Sequence, residues 1–255
     1  MDTENLDRLS LPDLFSRISR VIVCHEDEDQ KTSSQQIQGE VDRICGGLEK
    51  WGIKPGDRVA VWLPNGVPYV ELLWAAARLG IVVVSVNTRF RSTEVEDIIG
   101  RSGARLLVVD PSFLGIDFSG ILSRIDSTKL GVEAVVSLGG TVEGPWTTIH
   151  WDELLRSSPS GVDRSSPSIP WIVFTTSGTT SAPKLVLHHQ GSPAEHALDL
   201  ERWFGQSVLA AVPLCGVFGY TMLLGAMGAG SELVTMPVFD ASVAASAIER
   251  YGVTT

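Results

Sequence analysis

A run of hydroxyl side chains near the middle of the chain is the feature best suited to chemistry. Residues 175–181 hold six serine or threonine hydroxyls and one glycine, directly after an apolar stretch that is typical of a buried strand. Such a loop offers consecutive backbone N–H groups and hydroxyl donors, which suit the oxygens of a phosphate group. Lys184, which follows shortly after, adds a positive charge. On composition alone, an exposed Ser/Thr-rich turn fits equally well.

This loop is not a P-loop, and two other candidate motifs are weaker. A P-loop needs Gly before its Lys and a hydroxyl after it, whereas Pro183 precedes Lys184 and Leu185 follows it. His188 and His189 are adjacent in a stretch that resembles a strand, so their side chains point to opposite faces and we expect no metal site there. The sequence has no G-x-S-x-G, so the nucleophile elbow of the α/β-hydrolases is missing.

Small and aromatic residues mark the last third of the chain. Gly225-Ala-Met-Gly-Ala-Gly230 resembles a dinucleotide-binding loop only in reverse order, so we expect it to serve close helix packing. Cys215 is a small side chain that we expect to be buried. Four aromatic residues fit either an acyl pocket or an ordinary core, namely Trp203, Phe204, Phe218 and Tyr220.

Strand and helix patterns alternate from residue 33 onward and must position these residues. This alternation predicts an α/β fold with a mostly parallel, doubly wound sheet. Ser33-x-x-Gln36 is a capping box that opens a helix, and Gly80 ends a second helix at residues 67–79. A Ser/Pro-rich connector at residues 157–168 precedes the expected start of a second sheet. Strands are predicted at residues 59–63, 81–86, 106–109, 134–138, 169–175, 208–212 and 233–236, and further helices at 220–229 and 241–251.

The overall composition excludes several classes of protein. Of the 255 residues, 44% are hydrophobic and 20% are charged, which is typical of a globular chain. Thirty acidic and twenty basic residues give a net charge of −10, which argues against a nucleic-acid partner. No apolar run reaches the length of about 18 residues that a membrane span needs. Three separated cysteines, Cys24, Cys45 and Cys215, and a polar N-terminus favour a cytoplasmic protein.

The hydroxyl-rich loop resembles the phosphate-binding signature of the adenylate-forming superfamily. Thr176-Ser-Gly-Thr-Thr-Ser-Ala-Pro-Lys-Leu-Val186 is similar to the family's T-S-G-T-T-G-x-P-K-G-V. The superfamily includes acyl- and aryl-CoA synthetases, adenylation domains of peptide synthetases, and firefly luciferase. The resemblance runs from about Leu11 to the last residue. Four further stretches are similar to family motifs, namely Gly56-Asp-Arg-Val-Ala-Val-Trp-Leu-Pro-Asn65, Ala76–Asn87, Pro213-Leu-Cys-Gly-Val-Phe-Gly219 and Phe239–Thr254.

The resemblance implies roles for two groups of residues. The ATP phosphates would be bound by Thr176, Ser177, Gly178, Thr179, Thr180 and Lys184. A pocket for the acyl substrate would include Cys215, Gly216, Phe218 and Gly219. The sequence departs from the family pattern at Ser181 and Leu185, where the signature has glycine, and at Gly216 and Gln190, where many members have histidine. These departures bear on the acid substrate more than on the nucleotide site.

The activity that the resemblance implies is the ATP-dependent activation of a fatty or aryl carboxylic acid to an acyl-adenylate, followed by acyl transfer to coenzyme A. ATP, Mg²⁺ and coenzyme A would take part. The family's magnesium-binding Glu, ribose-binding Asp and catalytic Lys motifs do not occur in these residues, so we expect no catalytic or metal-binding residue here and no activity from this chain alone. We expect a first α/β subdomain at residues 1–168, the start of a second at 169–255, and no C-terminal domain.

Two alternatives stay open. The chain could belong to an adenylation domain that loads a carrier protein instead of coenzyme A. It could also be a truncated, non-catalytic module that binds a nucleotide or an acyl chain. No sequence feature in this part of the family's length distinguishes the two acceptors.

Overall fold

The computed structural model describes residues 9–176 and 182–255, which form two β-sheets flanked by helices. The strands are β1 Arg20–Val23, β2 Gln30–Ser33, β3 Arg58–Trp62, β4 Val82–Ser85, β5 Leu106–Val109, β6 Ala134–Ser137, β7 Thr147–His150, β8 Pro170–Thr176, β9 Lys184–His189, β10 Ser207–Ala210 and β11 Glu232–Thr235. The helices are α1 Leu11–Arg17, α2 Ser34–Lys50, α3 Val67–Leu79, α4 Ser92–Ser102, α5 Phe118–Leu122, α6 Trp151–Leu155, α7 Gly191–Leu200, α8 Val217–Ala229 and α9 Ala241–Tyr251. None of these helices is long and apolar enough to cross a membrane.

The larger sheet has seven strands in the order β7-β6-β5-β3-β4-β8-β9. All neighbouring strands are parallel except β8 and β9, which confirms the predicted doubly wound, mostly parallel sheet. Both faces are buried, because Val59 and Val61 of β3 pack into one core cluster while Ala60 and Trp62 pack into another. Continuous apolar runs of this kind are typical of parallel strands that helices cover on both sides.

The smaller sheet has four strands in the order β10-β11-β1-β2. The expectation that a second sheet begins after residue 168 is wrong for β8 and β9, because these two strands extend the larger sheet. The smaller sheet instead combines β10 and β11 with β1 and β2 from the start of the chain. β1 pairs in parallel with β11, and an Arg20–Glu232 ion pair joins the two strands. Hydrophobic periodicity is a local signal and cannot indicate so distant a partner. The division of the chain into subdomains at residue 168 stays a prediction.

The predicted helix boundaries agree with the structure where a capping residue sets them. The Ser33 side chain accepts a hydrogen bond from the Gln36 N–H at the start of α2, and Gly80 ends α3 with a left-handed φ of 68°. Without a side-chain cap, the start of α8 was placed at residue 220, whereas the helix begins at Val217. The sequence analysis did not predict β1, β2 or β7. β2 and β7 are mostly polar strands at the edges of their sheets, so they lack the apolar run that marks the other four-residue strands.

The Ser/Pro-rich connector at residues 157–168 is bound to the helices beneath it. Arg78 of α3 donates hydrogen bonds to the carbonyl oxygens of Ser160 (2.9 Å) and Val162 (3.1 Å). Glu49 of α2 accepts hydrogen bonds from the Ser160 hydroxyl (2.7 Å) and from Arg164 (2.9 Å). The Ser160 hydroxyl bond, together with Arg164, lowers the pKa of the Glu49 carboxyl. The connector therefore delivers β8 to the larger sheet at a fixed position.

Candidate functional site

The two ends of the hydroxyl-rich loop meet at the edge of the larger sheet. Thr176 is the last residue of β8 and is the direct antiparallel partner of Lys184, the first residue of β9. Both side chains are exposed. Ser177, Gly178, Thr179 and Thr180 lie outside the described residues. Because β8 runs parallel to β4, Thr176 lies at the carboxyl edge of the sheet, where open α/β sheets bind their ligands.

An arginine of α4 holds the chain just before Lys184. The Arg101 guanidinium donates a hydrogen bond of 2.5 Å to the carbonyl oxygen of Pro183. It also forms two hydrogen bonds with Asp97, of 2.6 and 2.8 Å, which raise the pKa of the guanidinium. Sequence reasoning missed Arg101, because an arginine on an exposed helix face carries no signal of its partner in another element.

The predicted acyl-pocket residues lie in the loop after β10 and in the first turn of α8. Cys215 is partly buried, and burial raises the pKa of its thiol to about 12, so the thiol is protonated at neutral pH. Phe218 is exposed over 81% of its surface. At Gly219, an added Cβ would lie 2.3 Å from the carbonyl oxygen of Pro213, whereas at Gly216 the nearest atom would be 3.6 Å away. Close packing thus requires a glycine at Gly219, while Gly216 leaves room for a Cβ.

A contact between two aromatic rings joins the two elements that carry the predicted groups. Tyr220, which follows Gly219 in α8, packs edge-on against Phe174 of β8 with ring centroids 4.9 Å apart. Phe174 lies two residues before Thr176, so the start of α8 lies against the strand that leads into the hydroxyl-rich loop. On the next strand, His188 also contacts Phe174, at 5.7 Å, and burial lowers the pKa of its imidazole.

Of the four aromatic candidates, Tyr220 is buried in the core beside Phe174, whereas Trp203 is exposed over 69% of its surface. Phe204 packs against α8 at Gly225, where an added Cβ would lie 2.2 Å from its ring. The glycine-rich stretch of α8 serves close helix packing as predicted, because a Cβ at Gly228 would lie 1.8 Å from the carbonyl oxygen of Ala197 in α7.

A cleft of about 230 Å³ lies where the carboxyl ends of β3, β4, β10 and β11 converge. Its wall includes Cys215 and the apolar side chains of Met236 and Phe239, and its lining includes Arg89 and Arg91. Among the described residues that line it, none is acidic, although the chain carries a net charge of −10. An apolar wall with cationic residues suits an anion that carries an apolar body. Sequence reasoning missed both arginines, because their place in the cleft depends on non-local packing.

A second cavity lies away from these residues. It has a volume of about 330 Å³ and is lined by His25, Asp29, Asp240 and Arg250, among others, at the end of β1 and the start of α9. None of the predicted site residues that the structure describes lies in its lining. The smaller cleft at the carboxyl edge is therefore the better candidate site.

Comparison with known proteins identifies the family. The family model of the AMP-binding enzymes matches residues 16–255. The chain belongs to the AMP-binding enzyme family. This confirms the predicted membership of the adenylate-forming superfamily, whose N-terminal domains share the fold described above.

Related AMP-binding enzymes differ in their acceptors. The chain is 30% identical over 265 residues to a 3-[(3aS,4S,7aS)-7a-methyl-1,5-dioxo-octahydro-1H-inden-4-yl]propanoyl:CoA ligase of Mycobacterium tuberculosis, covering 97% of this chain and 51% of that protein. It is 31% identical over 236 residues to the fatty acid–acyl-carrier-protein ligase ScoC of Streptomyces coeruleorubidus, covering 89% of this chain and 43% of that protein. The chain therefore spans about half the length of the relatives it matches.

A solved structure shows the same fold. The long-chain-fatty-acid-CoA ligase FadD1 of Archaeoglobus fulgidus superimposes with a TM-score of 0.81 at 24% sequence identity, covering 97% of this chain and 51% of that chain. The order of strands and helices is therefore the N-terminal arrangement of this family.

Proposed function

We propose that this chain is the ATP- and acid-binding region of an acyl-CoA synthetase. The observation that best supports the proposal is the contact between Phe174 and Tyr220, which brings the strand that ends at Thr176 against the first turn of α8, which carries Gly219 and directly follows Gly216. A phosphate-binding loop and an acid-binding segment must be neighbours if a carboxylate is to reach ATP.

The proposed first step joins the acid to AMP. A carboxylate oxygen attacks the α-phosphorus of ATP, the bond between the α-phosphorus and its bridging oxygen breaks, and pyrophosphate leaves. Thr176 and Lys184 would bind the β- and γ-phosphates together with Ser177, Gly178, Thr179 and Thr180, and would leave the α-phosphorus open to attack. The contribution of these residues is positioning and charge stabilisation.

The proposed second step transfers the acyl group to coenzyme A. The thiol sulfur attacks the acyl carbon, AMP leaves, and a thioester forms. Arg89 and Arg91, which line the cleft beside Cys215, suit the phosphates of coenzyme A and equally the phosphate of a carrier protein's phosphopantetheine arm. Cys24, Cys45 and Cys215 are free thiols, which agrees with the cytoplasm as the compartment we propose for the reaction.

Mg²⁺ accompanies ATP in phosphoryl chemistry and is bound by oxygen ligands, above all carboxylates and phosphates. The described residues that line the cleft include no carboxylate. We therefore assign no step to a metal held by this part of the chain.

Acid-dependent exchange of labelled pyrophosphate into ATP tests this function in the full chain that the gene encodes, with a panel of short to long and aromatic acids. We expect exchange with at least one acid, and thioester formation when coenzyme A is added. Exchange with transfer only to a phosphopantetheinylated carrier protein would support the carrier-loading function, which the similarity to ScoC favours. Nucleotide binding without exchange would support a non-catalytic module.

A further inference from the structure

Asn65 lies where the larger sheet meets the loop that carries the predicted acyl-pocket residues. It follows β3 in the Leu-Pro-Asn sequence and precedes α3, and its side chain is buried. The sequence resemblance singled out this stretch, yet neither of the proposed reaction steps uses Asn65. The hydrogen bonds of its amide therefore need a separate explanation.

The Asn65 side-chain amide forms hydrogen bonds through both its nitrogen and its oxygen, to β11 of the smaller sheet and to the loop that follows β10. Its nitrogen donates to the carbonyl oxygen of Val212 (3.0 Å) and to the hydroxyl oxygen of Thr235 (2.9 Å). Its oxygen accepts a hydrogen bond of 2.7 Å from the backbone N–H of Leu214. The Thr235 hydroxyl donates its own hydrogen to Ala210 (2.9 Å), so it is free to accept from Asn65. The amide orientation is thereby settled by its partners.

These bonds fix the loop on both sides of Pro213. The loop then turns through a hydrogen bond from the Gly216 N–H to the carbonyl oxygen of Pro213, 3.0 Å. The same carbonyl oxygen would lie 2.3 Å from a Cβ at Gly219. A shift of the loop would therefore move the first turn of α8.

We propose that Asn65 is a positioning residue that sets the acid-binding segment, Cys215 to Gly219, relative to the larger sheet. This role rests on the proposed function. A carboxamide of this length supplies two N–H groups and one acceptor at the three observed positions. An aspartate could keep the bond from Leu214, but it would place a carboxylate against the Val212 carbonyl and could donate to neither partner.

The test compares Asn65→Asp and Asn65→Ala with Ser137→Ala in the full chain. Ser137 is a control away from the loop, because it is also a buried polar residue at the end of a strand of the larger sheet, and its hydroxyl donates one hydrogen bond, to the Gly140 carbonyl oxygen (2.8 Å). We expect both Asn65 variants to raise the KM for the acid about tenfold, and to change the KM for ATP less than about twofold. Ser137→Ala should leave the ratio of the two KM values unchanged.

Thr235 gives a second test that does not alter Asn65. Thr235→Val removes the hydroxyl that accepts from Asn65 and should raise the KM for the acid. Thr235→Ser keeps the hydroxyl and should have the wild-type KM for the acid. Amide hydrogen exchange provides a readout independent of activity, and Asn65→Ala should speed exchange at Leu214 while leaving that of the β5 strand unchanged.

The outcomes separate this role from the proposed function. Acid-dependent pyrophosphate exchange in the wild type, together with unchanged KM values for the acid in the Asn65 variants, would overturn the positioning role alone. Equal rises in the KM values for acid and ATP would also overturn it, since general destabilisation would then explain the loss. A wild-type protein without any pyrophosphate exchange activity would overturn the proposed function, and the positioning role of Asn65 with it.

Discussion

The two sides of the candidate site are held in place in different ways. On the larger sheet, Thr176 and Lys184 are exposed, and the chain before Lys184 is held by an arginine on the surface of α4. On the smaller sheet, the loop before α8 is held by a buried amide and by close backbone packing at Gly219. Exposed ionic contacts are screened by water and are weak, whereas buried hydrogen bonds and tight packing are costly to disturb. We call the region of Thr176 and Lys184 the proposed phosphate side, and the loop before α8 the proposed acid side. We therefore expect substitutions on the phosphate side to affect the stability of the fold little, and substitutions on the acid side to lower it more.

The largest expected effect comes from a buried carboxyl in α3, the helix that begins directly after the Asn65 loop. Glu71 is buried, one of its oxygens has no hydrogen-bond partner, and burial, with Glu40 nearby, raises the pKa of its carboxyl to about 10. The folded state thus keeps a proton that the unfolded state releases above its ordinary pKa of 4.5. Stability should therefore fall as the pH rises from 4.5 towards 10.

Glu71→Gln removes this titration while keeping the shape of the side chain. We expect it to raise the free energy of unfolding at pH 7 by at most about 3 kcal/mol, with a smaller gain at pH 5 and a larger one at pH 8.5. Urea unfolding at these pH values measures the difference. Glu143→Gln, at an exposed position, is the control. A gain that is the same at every pH would contradict the assignment of a protonated Glu71.

The next effect compares two glycines of the acid side. Gly219→Ala places a Cβ against two backbone carbonyl oxygens, at 2.3 and 2.7 Å, which cannot rotate away. We expect a loss of about 1–3 kcal/mol in the free energy of unfolding. Gly216→Ala meets only one atom, at 3.6 Å, and should change stability by less than about 0.5 kcal/mol. Thermal unfolding of the two variants checks this, and equal losses would show that the loop is not tightly packed.

A smaller effect is expected on the phosphate side, and on ATP alone. Lys184→Ala removes a charge that we propose contacts phosphate, so the KM for ATP should rise about tenfold while the melting temperature stays nearly constant. Lys54→Ala, another exposed lysine, serves as the control. An unchanged KM for ATP in Lys184→Ala would place the phosphates elsewhere.

The smallest effect concerns the exposed Arg101–Pro183 contact. We expect Arg101→Ala to raise the KM for ATP only about twofold, because an exposed contact contributes little. Arg156, which also pairs with an aspartate four residues away on a helix surface, is a matched control site. If Arg101→Ala unfolded the protein or abolished ATP binding, the two sides would not differ in the way described.

The sequence alone allowed the prediction of features that depend on local signals. Ser33 and Gly80 marked helix ends, and the apolar runs of β3 and β5 indicated a covered parallel sheet. The hydroxyl-rich loop was identifiable because its serines and threonines lie close together in the sequence, and its phosphate-binding role stays a prediction. The membership of β1 in the smaller sheet and the bonds of Asn65 to Val212 and Leu214 were not predictable, because they join residues that are far apart in the chain.

The acid dependence of pyrophosphate exchange in the full chain carrying Gly216→His tests directly whether the loop before α8 binds the acid. We expect the wild type to exchange pyrophosphate only when an acid is present, and Gly216→His to change which acids support exchange while the KM for ATP changes little. A Cβ at Gly216 fits without a clash, since its nearest neighbour would be the Pro213 carbonyl oxygen at 3.6 Å. If the variant kept the wild-type acid preference and instead lost ATP binding, the assignment of the segment from Cys215 to Gly219 to the acid would be wrong.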